Sequence, residues 1–188
     1  MRIGIFGGVF DPIHVGHLIA VEEVREQLKL DKVLFIPSYD PPHKKTPTSY
    51  LRRRNMAELA IQNNPYFKLC EIEKEIGGKS WTIETLKTLH KLYPKDQCYL
   101  IIGADQYQKL NDWKEPESLT RYAQLVVMNR PHSKIKNQKS KIKIIRISIS
   151  QIDIASKDIR ESIKQGKSIR YKVAEAVYKY IYKNKVYK

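Results

Sequence analysis

The sequence predicts an α/β chain: one doubly wound, Rossmann-like domain over residues 1–188, with a parallel sheet of five or six strands and a helical segment, 156–188, packed on it. Three observations carry this expectation. Short apolar runs alternate with amphipathic stretches of helical period from Arg2 to Ile147. The first run, Arg2 to Phe6, empties through Gly7-Gly8 into a helix, Leu18 to Leu28, and then a second strand, Lys32 to Ile36, which is the βαβ opening of a parallel sheet. Beyond Ile147 only helical patterns remain.

The stretch between the first strand and helix is the most informative. Gly7 and Gly8 lack Cβ, so the backbone is expected to turn there with φ > 0 and to let a ligand approach bare N–H groups. Asp11-Pro12 punctuates the turn, and the helix after it points its positive dipole end at the same space. His14 and His17, three apart, fall on one face of a first helical turn beside that cradle. Two imidazoles with no serine elbow or cysteine cluster suit the stabilisation of charge on a phosphoryl group, chemistry that rests on positioning and electrostatics.

Further along, Pro37 to Ser49 is too long and irregular for a plain connection, and Pro41-Pro42 stiffens whatever presents His43 and Lys44. A helix over Leu51 to Asn63 places Met56, Leu59 and Ala60 on one face, and Arg52, Arg53 and Arg54 point three ways from it. Phe67 to Ile72 reads as a third strand, broken by Gly77-Gly78. Ser80 or Thr82 is a natural N-cap for a helix over Ile83 to Tyr93. The strand Gln97 to Ile102 runs into Gly103-Ala104-Asp105, where a carboxylate can take a ribose hydroxyl or cap a helix. Trp113 stands in a polar loop, with a face for stacking on a flat heterocycle. A short helix, Pro116 to Tyr122, precedes the strand Gln124 to Met128, and Arg130 at its exit takes the position of a ligand contact. Ser133 to Lys141 has loop composition, and Lys143 to Ile147 mixes basic and apolar residues as an edge strand does. Ser156 is expected to cap a helix over Lys157 to Gln165, with Arg160 one turn in and able to swing onto phosphates. Val173, Ala174, Val177, Tyr178 and Ile181 form the docking stripe of a last helix.

Composition narrows the partners. The net charge of +15, from 35 Lys and Arg against 20 acidic residues, points to anions. Cys70 and Cys98 are too few for a disulfide framework or a zinc site, and no stretch approaches a membrane span, so a reducing cytoplasm is the expected location. No membrane or nucleic-acid partner is expected, no protein-held metal either, and the sequence leaves a homo-oligomer open.

The run GGVFDPIHVGH resembles the signature of the nucleotidyltransferase superfamily with the HxGH motif, and within it the bacterial nicotinate-nucleotide adenylyltransferases. The resemblance covers nearly the whole chain. It implies AMP transfer from ATP to nicotinate mononucleotide, giving deamido-NAD and pyrophosphate, with Mg²⁺ arriving on the triphosphate. His14, His17 and Arg160 become the catalytic candidates. ATP is expected against Gly7, Gly8, Val9, Phe10, His17, Gly103, Asp105, Ile154, Ser156 and Arg160. Nicotinate mononucleotide is expected against Gly8, His43, Lys44, Ser80, Trp81, Thr82, Trp113 and Arg130, with the ring carboxylate at the helix start and the ring on the tryptophan. The family pattern Ser-Ser-Thr-x-Ile-Arg is only partly kept, because Ala155 and Lys157 stand at the first serine and the threonine. Pantetheine-phosphate or nicotinamide-nucleotide adenylyl transfer shares the chemistry, and a non-catalytic RNA-binding role would use the same fold and charge. The Pro41 to Lys44 and Ser80 to Thr82 segments favour the nicotinate acceptor, and the ordered histidine pair favours an enzyme.

Overall fold

The structure, a computed structural model, describes residues 1–42, 46–129 and 142–188. The elements run β1 (Arg2–Gly8), α1 (Val15–Leu28), β2 (Lys32–Pro37), α2 (Tyr50–Ile61), β3 (Phe67–Leu69), α3 (Ile72–Ile76), α4 (Thr82–Leu92), β4 (Gln97–Gly103), α5 (Ala104–Gln108), β5 (Gln124–Asn129), β6 (Ile144–Ser148), α6 (Ser156–Lys164) and α7 (Glu175–Lys183). Two 3₁₀ turns, Leu110–Asp112 and Pro116–Arg121, link α5 to β5; the second replaces the expected short helix.

The six strands pair in parallel in the order β3-β2-β1-β4-β5-β6. From β1 the chain winds outward through β2 and β3, then returns to β4 on the other side of β1 and winds outward again. A crevice therefore opens beyond the carboxyl ends of β1 and β4, where the winding reverses.

Strand side chains alternate between the two faces. Ile3, Ile5, Leu34, Ile36, Leu100 and Ile102 pack on one side with Ile72 of α3 and Ile83, Leu86 and Leu89 of α4. Phe6, Val33, Phe35, Ile101 and Val126 pack on the other with Val21 and Val24 of α1 and Met56 and Ile61 of α2. Ile159 and Ile163 of α6 and Val177 and Ile181 of α7 join that second core. Both faces are covered, which is why the strands read as near-continuous apolar runs. Among the described residues no helix is long and apolar enough to cross a membrane.

Local departures have identifiable causes. The strand expected over Phe67 to Ile72 stops at Leu69, and Ile72 turns into the short α3 so that its side chain can enter the core under α4. Helix α1 starts at Val15, ahead of the Leu18 at which its apolar pattern becomes visible. The left-handed residue of the loop after β1 is Phe10, at φ 52°, and neither Gly7 nor Gly8 has a positive φ. Gly8 is required for space instead: a Cβ there would lie 2.7 Å from Phe10 Cε1.

Candidate active site

A cavity of about 1000 Å³ occupies the crevice over β1 and β4, floored by the loop after β1 and walled by the starts of α1, α4, α5 and α6. Its centre is the histidine pair. His14 is the N-cap of α1 in extended conformation, and its N–H donates to Nδ1 of His17 at 3.2 Å. The two rings stack, with centroids 3.6 Å apart and 24° between planes. Phe6 and Phe10 close on His17 from other sides, at 6.0 and 5.6 Å between ring centroids.

Burial in this aromatic nest, helped by the neighbouring His14, pushes the His17 pKa from 6.5 down to about 3. The ring is therefore neutral near pH 7. A neutral imidazole whose Nδ1 accepts a hydrogen bond carries its proton on Nε2, so His17 presents a donor to an anion without being a cation.

The loop bearing the pair is held by residues distant in sequence. Arg53 of α2 is 1% exposed and donates to the carbonyls of Val9 at 2.7 Å, Ser38 at 2.8 Å and Thr48 at 3.2 Å. The Tyr187 hydroxyl donates to Oδ1 of the buried Asp11 at 2.7 Å. Ser156 Oγ donates to the Pro12 carbonyl at 2.8 Å, and Nη1 of Arg160 donates to the Asp11 carbonyl at 2.6 Å. Ser156 is thus the first residue of α6 and Ala155 its N-cap, because the hydroxyl is spent on the loop. Lys157 becomes the second helical residue, exposed at the cavity rim with Arg160 one turn behind it.

Gly7, Gly8, Val9 and Phe10 line the floor, and Gly103, Asp105 and Ile154 line the same end. Gly103, not Asp105, is the N-cap of α5, and a Cβ on it would lie 2.6 Å from Asp105 Oδ1, so the glycine leaves that carboxylate room to fold back. Asp105 is exposed at the mouth and accepts from Gln106 Nε2 at 2.8 Å.

Ser80, Trp81, Thr82 and Trp113 line the opposite end. Neither Ser80 nor Thr82 caps α4: Trp81 is the N-cap, and the Ser80 hydroxyl accepts from the Asp40 N–H at 3.0 Å. Trp113 is not a free loop ring, because it packs with Trp81 against the core on the α4 side while still edging the cavity. His43, Lys44 and Arg130 lie outside the described residues.

Two participants escape a reading of the sequence. Arg53 shares the buried face of α2 with Met56 and Ala57, so a basic residue in apolar register was the available signal. Nothing local marks Tyr187, 176 positions from Asp11.

An open parallel sheet with helix N-termini and a neutral histidine gathered at its switch point is the framework of an α/β nucleotidyltransferase. The family model described as cytidylyltransferase-like matches residues 5–162. A Thermus thermophilus protein named probable nicotinate-nucleotide adenylyltransferase is 39% identical over 188 residues, covering 100% of both chains. One of the same name from Dictyoglomus thermophilum is 41% identical over 194 residues, again covering 100% of both. Among solved structures, Plasmodium falciparum nicotinic acid mononucleotide adenylyltransferase complexed with NaAD has the same fold, with a TM-score of 0.82 at 23% identity over 99% of this chain and 97% of that one. The chain belongs to the cytidylyltransferase-like family and, within it, to the nicotinate-nucleotide adenylyltransferases.

Proposed function

We propose that the chain transfers AMP from ATP to nicotinate mononucleotide, forming deamido-NAD and releasing pyrophosphate. The observation that carries this reading is the stacked histidine pair at the switch point, with His17 held neutral, sharing one cavity with the N-terminus of α4. A phosphate oxygen of the mononucleotide attacks the α-phosphorus of ATP. The bond from that phosphorus to the bridging oxygen of the leaving group breaks, and pyrophosphate departs with the electron pair. Charge builds on the non-bridging oxygens in the transition state, and His17 Nε2–H and His14 stabilise it as fixed donors at the positive end of α1.

In this reading Gly7, Gly8, Val9 and Phe10 border the triphosphate, Gly103 and Asp105 take the ribose, and Ile154 lies against the adenylyl half. Arg160, with one N–H committed to the loop, turns the rest of its guanidinium toward phosphate, and Ser156 acts by fixing the loop. The nicotinate carboxylate sits at the start of α4 over Ser80 to Thr82, with Trp113 against the ring; His43, Lys44 and Arg130 are assigned to the same acceptor. Mg²⁺ is assigned to the substrate, carried by the phosphate oxygens of ATP and water.

Pyrophosphate release with nicotinate mononucleotide, nicotinamide mononucleotide and phosphopantetheine as acceptors tests the reading. Turnover favouring the first is expected; no release with any acceptor overturns it. His14→Ala and His17→Ala should each lower kcat by about 10²-fold or more, with a smaller change in ATP binding, because the contacts strengthen in the transition state.

A further inference from the structure

Glu73 is a buried carboxylate, 8% exposed, to which the mechanism above gives no task. It lies in α3, the helix that interrupts the expected strand, and edges the cavity at the end where Trp81 and Trp113 stand. Its oxygens are fully engaged. Oε2 accepts from the Tyr39 N–H at 3.2 Å, and Oε1 accepts from the Thr85 hydroxyl at 3.2 Å. The Ser80 hydroxyl lies beside the same carboxylate and accepts from the Asp40 N–H at 3.0 Å. The Ser80 N–H returns a bond to the Asp40 carbonyl at 2.9 Å.

These partners belong to two segments that also meet directly, through the two Asp40–Ser80 bonds and the Lys79 Nζ–Asp40 Oδ2 ion pair at 2.8 Å; Glu73 adds the link between Tyr39 and Thr85. Tyr39 and Asp40 lie in the loop after β2 that leads to Pro41 and Pro42; Ser80 and Thr85 bracket the start of α4. A carboxylate placed beside a pocket for an anionic acceptor would repel that acceptor if its charge were bare. Here burial pushes the Glu73 carboxyl up from the usual carboxylate range, so its charge is not bare, and the nearby Ser80 hydroxyl, the Tyr39 N–H, the Thr85 hydroxyl and the Arg53 guanidinium act against that shift.

We propose that Glu73 is the positioning residue of the acceptor half of the site: it links the Tyr39 N–H to the Thr85 hydroxyl beside the Asp40–Ser80 contact and so sets the width of the slot in which the acceptor binds, without touching the acceptor. This rests on the transfer reading above for the identity of the acceptor, and only on the hydrogen bonds for the role. Glutamine in place of Glu73 keeps the shape but turns one acceptor oxygen into an NH₂ group that must face a donor. Valine in place of Thr85 removes one of the two donors hydrogen-bonded to Glu73 at nearly constant volume.

The test compares wild type, Glu73→Gln and Thr85→Val in pyrophosphate-release kinetics, varying each substrate at saturation of the other. The tryptophan fluorescence of the free enzyme is titrated with nicotinate mononucleotide in parallel, since both tryptophans of the chain edge the cavity. Acceptor KM and Kd are expected to rise about five-fold or more in both variants, with KM for ATP and kcat within about two-fold, as the loss of a charge-assisted bond implies. Unchanged acceptor constants in both variants, or constants for ATP and acceptor rising together, overturn the proposal. Where Glu73→Gln does not fold, Thr85→Val alone decides. Should wild type reject nicotinate mononucleotide, the transfer reading fails by itself, and the same ratios taken with the acceptor that wild type does use still decide the role of Glu73.

Discussion

His17 allows a prediction in which catalysis and stability are read from one substitution. In the fold its pKa lies near 3, and in the unfolded chain it returns to 6.5. Between those values the unfolded state binds the extra proton, so stability rises with pH across the window, is fully present above 6.5, and is lost as pH falls toward 3. At about 1.36 kcal/mol per unit, acidifying from pH 7 to about 4.5 costs on the order of 2 kcal/mol, after discounting for the part of the ring that water reaches. For a chain of this size that is roughly 4–8 °C in Tm. His17→Asn removes the titration but keeps a side-chain oxygen able to accept the His14 N–H. Thermal melts of wild type and His17→Asn at both pH values give the difference directly. The variant should be less stable than wild type at pH 7 and should lose that many degrees less on acidification. Equal acid slopes would mean that His17 is not held neutral. The kinetic counterpart is a kcat/KM profile with no acidic limb from His17 between pH 5 and pH 8, approximate limits set by the unperturbed imidazole range. A limb near 6.5 that vanishes in the variant would refute the neutral-donor assignment.

Selectivity for the acid over the amide form of the acceptor should be about two- to thirty-fold in kcat/KM, the range a carboxylate gains at a helix N-terminus such as that of α4, and a preference for the amide would contradict the placement of the ring. Lys157→Thr removes a cation from the second position of α6 and should raise ligand-free stability by about 0.3–1 kcal/mol; if the lysine pairs with ATP phosphates, KM for ATP also rises and loses part of its salt dependence, and an unchanged KM at both low and moderate salt rejects the pairing. Arg53→Met leaves the Val9, Ser38 and Thr48 carbonyls without their donor and should cost about 3 kcal/mol or more by urea denaturation, whereas Arg52→Met on the exposed side of α2 should change stability by less than about 0.5 kcal/mol.

Much of this molecule is written locally. Apolar strands covered on both faces, helices with one buried stripe, and a strand emptying through Gly7-Gly8 toward two histidines three apart are features of adjacent residues. Their physics acts over a few positions, so the parallel sheet and the location of the cavity were legible in the chain. What the hydroxyls and charges do was not. Ser156, Ser80 and Asp105 each look like caps, because a short polar side chain before a helix satisfies its own backbone by default. The fold gives Ser156 the Pro12 carbonyl and Ser80 the Asp40 N–H, so Ala155, Trp81 and Gly103 become the caps. The strained residue moved for a similar reason: Phe10, not a glycine, takes the left-handed conformation, and Phe10 and Phe6 pack around His17. Arg53, Glu73 and Tyr187 became part of the site only when the chain closed on itself, since a hydrogen bond needs its partners within about 3.5 Å and no sequence spacing encodes that distance across separations of 34, 44 and 176 residues. Sequence alone determined which chemistry was present, and tertiary structure decided which groups were already spent on holding the loop and which were left facing the ligand.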